Sequence, residues 1–221
     1  DSIHLVKSYP AQIAQDLLDD TIDIGLIPVA IMPLLSNPQI VSKYVIGTEG
    51  EVASVALFSQ VPIDQIEKVY LDYQSRTSVQ LAKLLLAQYW NKEVEFLIAT
   101  EGYINEISGT TAGVIIGDRA LTSLNRFEHV YDLGLAWKQY AGLPFVFAAW
   151  VANKPIPAEF MEAFDAANGY GLSNLEQVIA LIPAAEQVYD LQKYYTENIS
   201  YELTPEKRKG LELFLELIKN K

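Results

Sequence analysis

Four residues, Ser75-Arg76-Thr77-Ser78, stand between a predicted strand and a predicted helix. Hydroxyl groups and unpaired backbone N–H groups at the start of a helix bind anions, and an arginine holds a carboxylate through two parallel hydrogen bonds. This turn is therefore a candidate binding site for a carboxylate. The alternative is that Ser75 or Thr77 only caps the helix while Arg76 is solvated, and the spacing alone is compatible with both.

A second candidate is Gly117-Asp118, which follows the predicted strand from Val114 to Ile116. Ligands of open α/β sheets bind outside the carboxyl ends of the strands, where a small residue lets them approach the backbone. The alternative is a tight turn in which Asp118 caps the next helix. Taken alone, this motif favours the tight turn.

A third candidate is Ser54, which lies in the apolar run Val52-Ala53-Ser54-Val55. A hydroxyl in such a run needs a hydrogen-bond partner from the backbone or from a ligand. The serine is not part of a Gly-x-Ser-x-Gly turn, and neither histidine is near it in the sequence. A hydrolase with a Ser-His-Asp triad is therefore disfavoured.

The overall charge disfavours several classes of partner. The 221 residues carry a net charge of −12, from 16 basic and 28 acidic side chains. Nucleic-acid binding needs a basic face, so no nucleic-acid partner is expected. Long-range attraction of an anionic substrate is also weak, so an anion must be held by donors within the site itself.

Metal and nucleotide sites are not expected either. The chain has no cysteine, and His4 and His129 are far apart and outside any metal-binding pattern. No Gly-x-Gly-x-x-Gly or Walker-type loop is present. No apolar run approaches the roughly twenty residues that span a bilayer, and no signal peptide is visible. We therefore expect no membrane partner and a cytoplasmic location.

Apolar strands and helical patterns alternate along much of the chain. We predict strands at residues 21–28, 52–58, 68–72, 93–98, 113–116 and 145–151. We predict helices capped by Ser8, from Thr77, and throughout the chain after Pro157, with Thr204 and Pro205 starting the last one. The alternation indicates an α/β protein with a mainly parallel sheet. Strands 52–58 and 145–151 bracket the middle of the chain, as the crossover strands of a discontinuous two-domain protein do.

Taken in order, several segments of the chain resemble the chorismate dehydratase family of the futalosine route to menaquinone. The matching segments are Asp23-Ile24-Gly25-Leu26-Ile27-Pro28, Ser54-Val55 with Ser59, Ser75-Arg76-Thr77-Ser78, Ile116-Gly117-Asp118, Asp132-Leu133-Gly134 with Trp137, and Gly142-Leu143-Pro144-Phe145-Val146-Phe147-Ala148 with Trp150. The turn at Ser75 and the block at Gly142 are specific in combination.

The resemblance implies a two-lobed type II periplasmic-binding-protein-like fold, whose discontinuous lobes are joined by two crossover strands around a ligand cleft. Lobe one is expected at residues 1–61 and 147–221, and lobe two at 62–146. Family members begin with a strand and a Leu-Asn dipeptide before a proline, and that asparagine contributes to the active site. No segment of this sequence matches them, so we expect lobe one to lack its first strand.

The resemblance also implies an activity: a lyase that removes water from chorismate to give 3-[(1-carboxyvinyl)oxy]benzoate. Because the product ring becomes aromatic, no metal or organic cofactor is expected. Ser54 is expected to be catalytic, by positioning the enolpyruvyl arm or the leaving hydroxyl. Substrate-binding roles are expected for the turn residues and for the cleft residues, namely Ser75, Arg76, Thr77, Ser78, Gly117 and Asp118. The proton acceptor stays open between Asp118 and a carboxylate of the substrate.

Two other functions remain. One is the sister enzyme that releases 1,4-dihydroxy-6-naphthoate, which shares the fold but fits the Ser75 turn and the Gly142 block less well. The other is a solute-binding protein that holds an anion without catalysis. The oligomeric state is not predicted.

Overall fold

A computed structural model describes residues 3–183 and 189–219 of the chain. These residues form nine strands in two sheets. The strands are β1 (Ile24–Pro28), β2 (Gln39–Thr48), β3 (Val55–Ser59), β4 (Lys68–Leu71), β5 (Glu95–Ile98), β6 (Thr111–Ile116), β7 (His129–Asp132), β8 (Phe145–Ala152) and β9 (Ser200–Glu202).

Helices pack around both sheets. They are α1 (Pro10–Leu18), α2 (Thr77–Gln88), α3 (Asp118–Ser123), α4 (Leu133–Ala141), α5 (Ala158–Leu172), α6 (Leu175–Ala180), α7 (Leu191–Lys193) and α8 (Pro205–Lys219). None of the helices in the described ranges is long and apolar enough to cross a membrane.

The first sheet has the strand order β1-β8-β2-β9, and the second has the order β5-β4-β6-β3-β7. Five of the seven strand pairings are antiparallel; only β4 runs parallel to its neighbours, β5 and β6. The prediction of a mainly parallel sheet is therefore wrong. The reason is that β3 and β8, the first strand after each change of sheet, run antiparallel to both of their neighbours.

The chain changes sheet twice. It leaves the first sheet after Thr48, enters the second at Val55, and returns to the first at Phe145. These passages coincide with the two crossover strands predicted from the apolar runs. All of β3 belongs to the second sheet and all of β8 to the first. The residue limits of the two lobes stay a prediction.

Several local predictions hold and others do not. Thr204 Oγ1 accepts a hydrogen bond from the N–H of Lys207 (3.2 Å), so the predicted cap of α8 is confirmed. The predicted Ser8 cap is wrong, because Tyr9 precedes α1 and contributes no side-chain cap. The helical pattern predicted after Pro157 is interrupted by β9, which pairs with β2. The strand β2 is not predicted at all from the sequence; its register shifts twice against β8, which disturbs the alternation of apolar residues.

An aromatic cluster joins α4, β8 and α8. The rings of Trp137, Phe145 and Phe214 meet edge to face at centroid distances of 5.0–6.0 Å, and all three side chains are buried. Trp137 Nε1 donates a hydrogen bond to the carbonyl of Pro144 (3.3 Å), which satisfies its polar atom. The last helix is thereby packed against the strand that returns the chain to the first sheet.

Candidate functional site

Two cavities lie beside the Ser75 turn. The one of about 220 Å³, the smaller cavity, lies between the two sheets. The first sheet contributes apolar side chains, among them Leu26 of β1, Ile46 of β2 and Phe147 of β8. Polar groups come from the loops and helix ends of the second sheet and from Tyr194, which lies shortly before β9 of the first sheet. The polar residues that line the smaller cavity are Ser54, Gln74, Ser75, Thr77, Ser78 and Tyr194.

Five of the seven site residues predicted from the sequence line this cavity, namely Ser54, Ser75, Thr77, Ser78 and Gly117. The other two lie elsewhere. Arg76 is exposed and lines a larger cavity of about 850 Å³ on the other side of the turn, which Ser75 also lines. Asp118 is exposed in the first turn of α3.

The turn before α2 is both a helix start and part of the cavity wall. Ser75 Oγ accepts a hydrogen bond from the N–H of Ser78 (3.1 Å), which is the capping interaction considered as an alternative. Thr77 Oγ1 accepts from the N–H of Ala30 (3.2 Å), beside the first sheet. Within the described residues the N–H of Thr77 has no hydrogen-bond partner. The positive end of the α2 dipole therefore opens at the smaller cavity.

A strained turn presents Ser54 to the cavity. The backbone of Ala53 has a φ of +61°, and the N–H of Ser54 donates to the carbonyl of Val52 (2.7 Å), two residues back. The carbonyl of Ser54 accepts from the N–H of Gly117 (2.7 Å), and Gly117 itself has a φ of +62°. The strained backbone of Ala53 and the positive-φ backbone of Gly117, which glycine adopts without strain, thus help to set the position of Ser54.

The carboxylate of Asp132 holds this turn in place. Its Oδ2 accepts hydrogen bonds from the N–H groups of Val52 (3.0 Å) and Ala53 (2.7 Å), and its Oδ1 accepts from the N–H of Leu135 (2.9 Å) at the start of α4. Burial raises the pKa of the Asp132 carboxyl to about 6, although these three N–H groups act in the opposite direction. Asp132 therefore ties the Ser54 turn to α4.

Tyr194 is a site residue that was not predicted from the sequence. It begins a π-helical turn (Tyr194–Asn198), a geometry often found at functional sites. Its hydroxyl donates a hydrogen bond to Ser54 Oγ (2.9 Å). Burial raises the pKa of Tyr194, so the hydroxyl stays protonated at neutral pH. No local pattern distinguishes it among thirteen tyrosines.

Buried Asp72 anchors the loop between β4 and the Ser75 turn. Its carboxylate accepts hydrogen bonds from Tyr103 Oη (2.8 Å) and from Arg119 Nη2 (2.8 and 3.1 Å), and its side chain has no exposed surface. Arg119 comes from α3, directly after Gly117 and Asp118. The two ends of the cavity wall, at Ser75 and at Gly117, are therefore joined by an ion pair whose carboxylate is fully buried.

In residues 3–183 and 189–219, no group of three or more His, Cys, Asp and Glu side chains is arranged to hold a metal ion.

A family model described as menaquinone biosynthesis matches residues 1–220. The chain belongs to the menaquinone biosynthesis family. A related protein of Thermus thermophilus is named chorismate dehydratase. It is 28% identical to this chain over 249 residues, which cover 99% of this chain and 88% of the relative. The resemblance predicted from the sequence is thereby confirmed.

Solved structures of other proteins share the fold of this chain. Protein AF1704 of Archaeoglobus fulgidus superposes with a TM-score of 0.64 at 14% identity, over 99% of this chain and 86% of its own. The periplasmic aliphatic sulphonate binding protein SsuA of Escherichia coli superposes with a TM-score of 0.60 at 18% identity, over 96% and 78%. The two-lobed type II periplasmic-binding-protein-like fold predicted from the sequence is thus confirmed.

Proposed function

We propose that this chain is a chorismate dehydratase, a hydro-lyase that removes water from chorismate to give 3-[(1-carboxyvinyl)oxy]benzoate in the futalosine route to menaquinone. The observation that carries the proposal is the likeness, over 99% of the chain, to a Thermus thermophilus protein of that name. We place the reaction in the smaller cavity, with Ser54 as a catalytic residue. The cytoplasmic location expected from the sequence stays a prediction.

The size of the smaller cavity supports a small metabolite as the substrate. Sites for drug-sized ligands are about 300–1,000 Å³, whereas this cavity has about 220 Å³. Its apolar wall, with Phe147 and Leu26, suits the ring of the substrate, and the polar side suits its oxygen atoms. A site of this composition orients one small molecule that has an apolar face and several oxygens.

Neutral donors are the means of holding the substrate's carboxylates in this cavity. Within the described part of the chain no Asp, Glu, Lys or Arg side chain lines it. The donors are the hydroxyls of Ser75, Thr77 and Ser78 and the free N–H of Thr77 at the start of α2. These neutral donors let a chain of net charge −12 bind an anion. They also avoid the cost of burying a cation that has no partner when the cavity is empty. Arg76, in the adjoining larger cavity, contributes positive charge at the shared Ser75 wall.

The elimination breaks one ring C–H bond and one C–O bond, and the electron pair of the C–H bond enters the ring that becomes aromatic. We assign to Ser54 the donation of its hydroxyl proton to the departing hydroxyl, which leaves as water. The substrate carboxylate that takes up the ring proton then returns a proton to Ser54 Oγ, so the serine ends the reaction neutral. Ser54 Oγ already accepts from Tyr194, so its own hydrogen is available for the substrate. We assign the ring proton to a carboxylate of the substrate. Among the described residues of the cavity wall, only Tyr194 has a titratable side chain. Its raised pKa keeps the hydroxyl protonated and makes it a poor base.

The proposal is tested by incubating the purified chain with chorismate and following the aromatic product by chromatography. We expect formation of 3-[(1-carboxyvinyl)oxy]benzoate, and a loss of kcat of about 100-fold in Ser54→Ala, the size of effect typical of one lost proton donor. Ser108→Ala, at an exposed serine, is the control and should match the wild type.

Other outcomes separate the remaining functions. Saturable binding of chorismate without product indicates a solute-binding protein and contradicts the assignment as a lyase. If the chain neither binds chorismate nor forms the product, the substrate of the sister 1,4-dihydroxy-6-naphthoate synthase is the next to test. Full turnover by Ser54→Ala with unchanged KM removes Ser54 from the mechanism while leaving the reaction in place.

A further inference from the structure

The amide of Gln74 is held by an ion pair that lies outside the smaller cavity. Arg119 Nη2 donates a hydrogen bond to Gln74 Oε1 (2.9 Å) while it also bonds the buried carboxylate of Asp72. The N–H of Gln74 donates to Asp72 Oδ1 (2.8 Å). The ring of Tyr73 lies beneath the guanidinium, with the Arg119 Cζ atom 5.2 Å from its centroid. Both the backbone and the side chain of Gln74 are thus fixed by the Asp72–Arg119 pair.

The chemistry of arginine decides which way the Gln74 amide points. Oxygen and nitrogen of an amide have nearly the same shape, so their assignment depends on the hydrogen bonds around them. A guanidinium has only donors, and it therefore selects the oxygen atom Oε1 of Gln74 as its partner. The amino group Nε2, with its two N–H donors, must lie on the other side of the amide.

This amino group is open to a ligand. Gln74 lines the smaller cavity beside Ser75. Among the residues that the structure describes, none donates to or accepts from Gln74 Nε2. No fully buried side-chain nitrogen or oxygen of the described chain lacks a partner, so Nε2 cannot be sealed in the protein interior. It is an accessible pair of donors.

The contact with Arg119 also strengthens these donors. A positive charge at Oε1 polarises the amide and makes its N–H groups better donors, as in a chain of cooperative hydrogen bonds. The charge of Arg119 itself is balanced by Asp72, whose side chain is fully buried. The guanidinium of Arg119 thus influences the cavity through the neutral amide of Gln74. The guanidinium itself is not desolvated in the cavity.

We propose that Gln74 is a substrate-binding and specificity-determining residue, whose Nε2 amino group donates a hydrogen bond to an anionic oxygen of the substrate in the smaller cavity. This proposal rests on the proposed function and extends it to a residue outside the Ser75–Ser78 turn. Arg119 is its positioning residue. A carboxylate is the oxygen group that gains most from such a donor, because hydrogen bonds to charged acceptors are the stronger ones.

The test compares Gln74→Glu and Gln74→Met with the wild type in steady-state turnover of chorismate. Gln74→Glu keeps an oxygen for Arg119 but replaces the donors by a negative charge, and we expect KM to rise by about 100-fold. Gln74→Met removes the donors without adding charge, and we expect a rise of about tenfold, the effect of one lost hydrogen bond to a charged group. In both variants kcat should stay within about threefold.

Gln65→Glu is the matched control, because it adds the same charge at an exposed glutamine and should keep the wild-type KM. Thermal unfolding of each variant checks that the fold is retained. An unchanged KM in a folded Gln74→Met variant, with normal turnover by the wild type, overturns the role of Gln74 alone. A wild type that neither binds nor converts chorismate overturns the proposed function together with this inference.

Discussion

Tyr194 and Ser54 are 140 positions apart in the sequence, yet the hydroxyl of Tyr194 donates a 2.9 Å hydrogen bond to Ser54 Oγ in the smaller cavity. The serine hydroxyl has two lone pairs and one hydrogen, and the tyrosine occupies one lone pair. The hydrogen of Ser54 is thereby directed away from Tyr194 and is free for the substrate. Tyr194 thus positions the residue to which we assign proton donation.

Replacing Tyr194 by phenylalanine tests this positioning role. We expect Tyr194→Phe to lower kcat for chorismate by about tenfold, because Ser54 loses the bond that orients its hydroxyl. KM should change little, since the carboxylate donors of the Ser75 turn are unaffected. Initial-rate kinetics of both parameters provides the measurement.

Tyr195→Phe is the control for this change, because Tyr195 is the neighbouring tyrosine and makes no hydrogen bond to Ser54. A purely structural role for Tyr194 predicts a lower unfolding temperature with unchanged kcat per folded molecule. That result would falsify the positioning role.

Gly117→Ala is expected to destabilise the chain. Gly117 has φ +62° and ψ −145°, a conformation that residues with a Cβ rarely adopt, although an added Cβ meets no neighbouring atom within 4 Å. The backbone strain should lower the free energy of unfolding by about 1–3 kcal/mol. It should also weaken turnover, because the N–H of Gly117 binds the carbonyl of Ser54. Chemical denaturation and initial rates measure the two effects.

Gly171→Ala provides the opposite case. Gly171 lies within α5, has ordinary helical backbone angles, and has open space around an added Cβ. This variant should be more stable than the wild type by about 0.5–1 kcal/mol, because alanine loses less backbone entropy in a helix. Equal effects of the two substitutions would show that backbone strain at Gly117 is unimportant.

The carboxyl of Asp132 should give the stability an unusual pH dependence. Its pKa is about 6 in the folded chain, above the ordinary value of 3.8, so the folded state binds the proton more tightly than the unfolded state. The resulting stabilisation is present at low pH and is lost as the pH rises through about 6. Its size over that range is about 2–3 kcal/mol.

Asp132→Asn isolates this contribution, since asparagine does not titrate. Asparagine offers one acceptor oxygen to the three N–H groups of Val52, Ala53 and Leu135 and turns an amino group toward at least one of them, so the variant should be less stable at pH 4 by about 1–3 kcal/mol. Between pH 4 and pH 7 the free energy of unfolding of the wild type should fall relative to that of the variant, because only the wild type loses the contribution of Asp132. Parallel denaturant titrations at both pH values measure it, and a constant difference would contradict the raised pKa.

Lys207 should be important for stability, although it lies outside the cavity. Its side chain is buried, and Nζ donates to Ser200 Oγ (2.6 Å) and to the carbonyl of Glu202 (2.9 Å) and pairs with Glu49 (2.7 Å). Lys207→Met removes the donor from all three partners, and we expect a loss of about 1–3 kcal/mol in the free energy of unfolding. Lys209→Met, at an exposed lysine of the same helix, should be nearly neutral; a similar loss there would contradict this explanation.

Much of the fold was predictable because the signals are local. The helix α2, the start of α8 at Thr204 and the apolar strand β8 follow from hydrophobic period, capping residues and proline. The strand β2 was not predictable from the sequence, because its residues form a strand by pairing with β8 and β9 with shifts in register. The directions of the strands likewise depend on where the chain changes sheet.

The candidate site divides in the same way. Ser75 and Gly117 were predicted because each follows a strand, where the local sequence already indicates a turn. Ser54 was predicted from the family resemblance, within a strand expected at residues 52–58; the structure places it in the turn before β3. Arg76 and Asp118 come from the same turns, but the side-chain directions within a turn depend on packing, and both lie away from the smaller cavity. Their roles in substrate binding stay a prediction.

The sequence by itself determined the family, the α/β class and the turns that carry hydroxyl groups, because these depend on neighbouring residues and on short motifs. Only the tertiary structure decided that Tyr194 meets Ser54 and that Arg119 orients the amide of Gln74. Those contacts join residues 140 and 45 positions apart. They form because two sheets and the last helices bury a common core, and the packing of that core sets which side chains face the cavity between them.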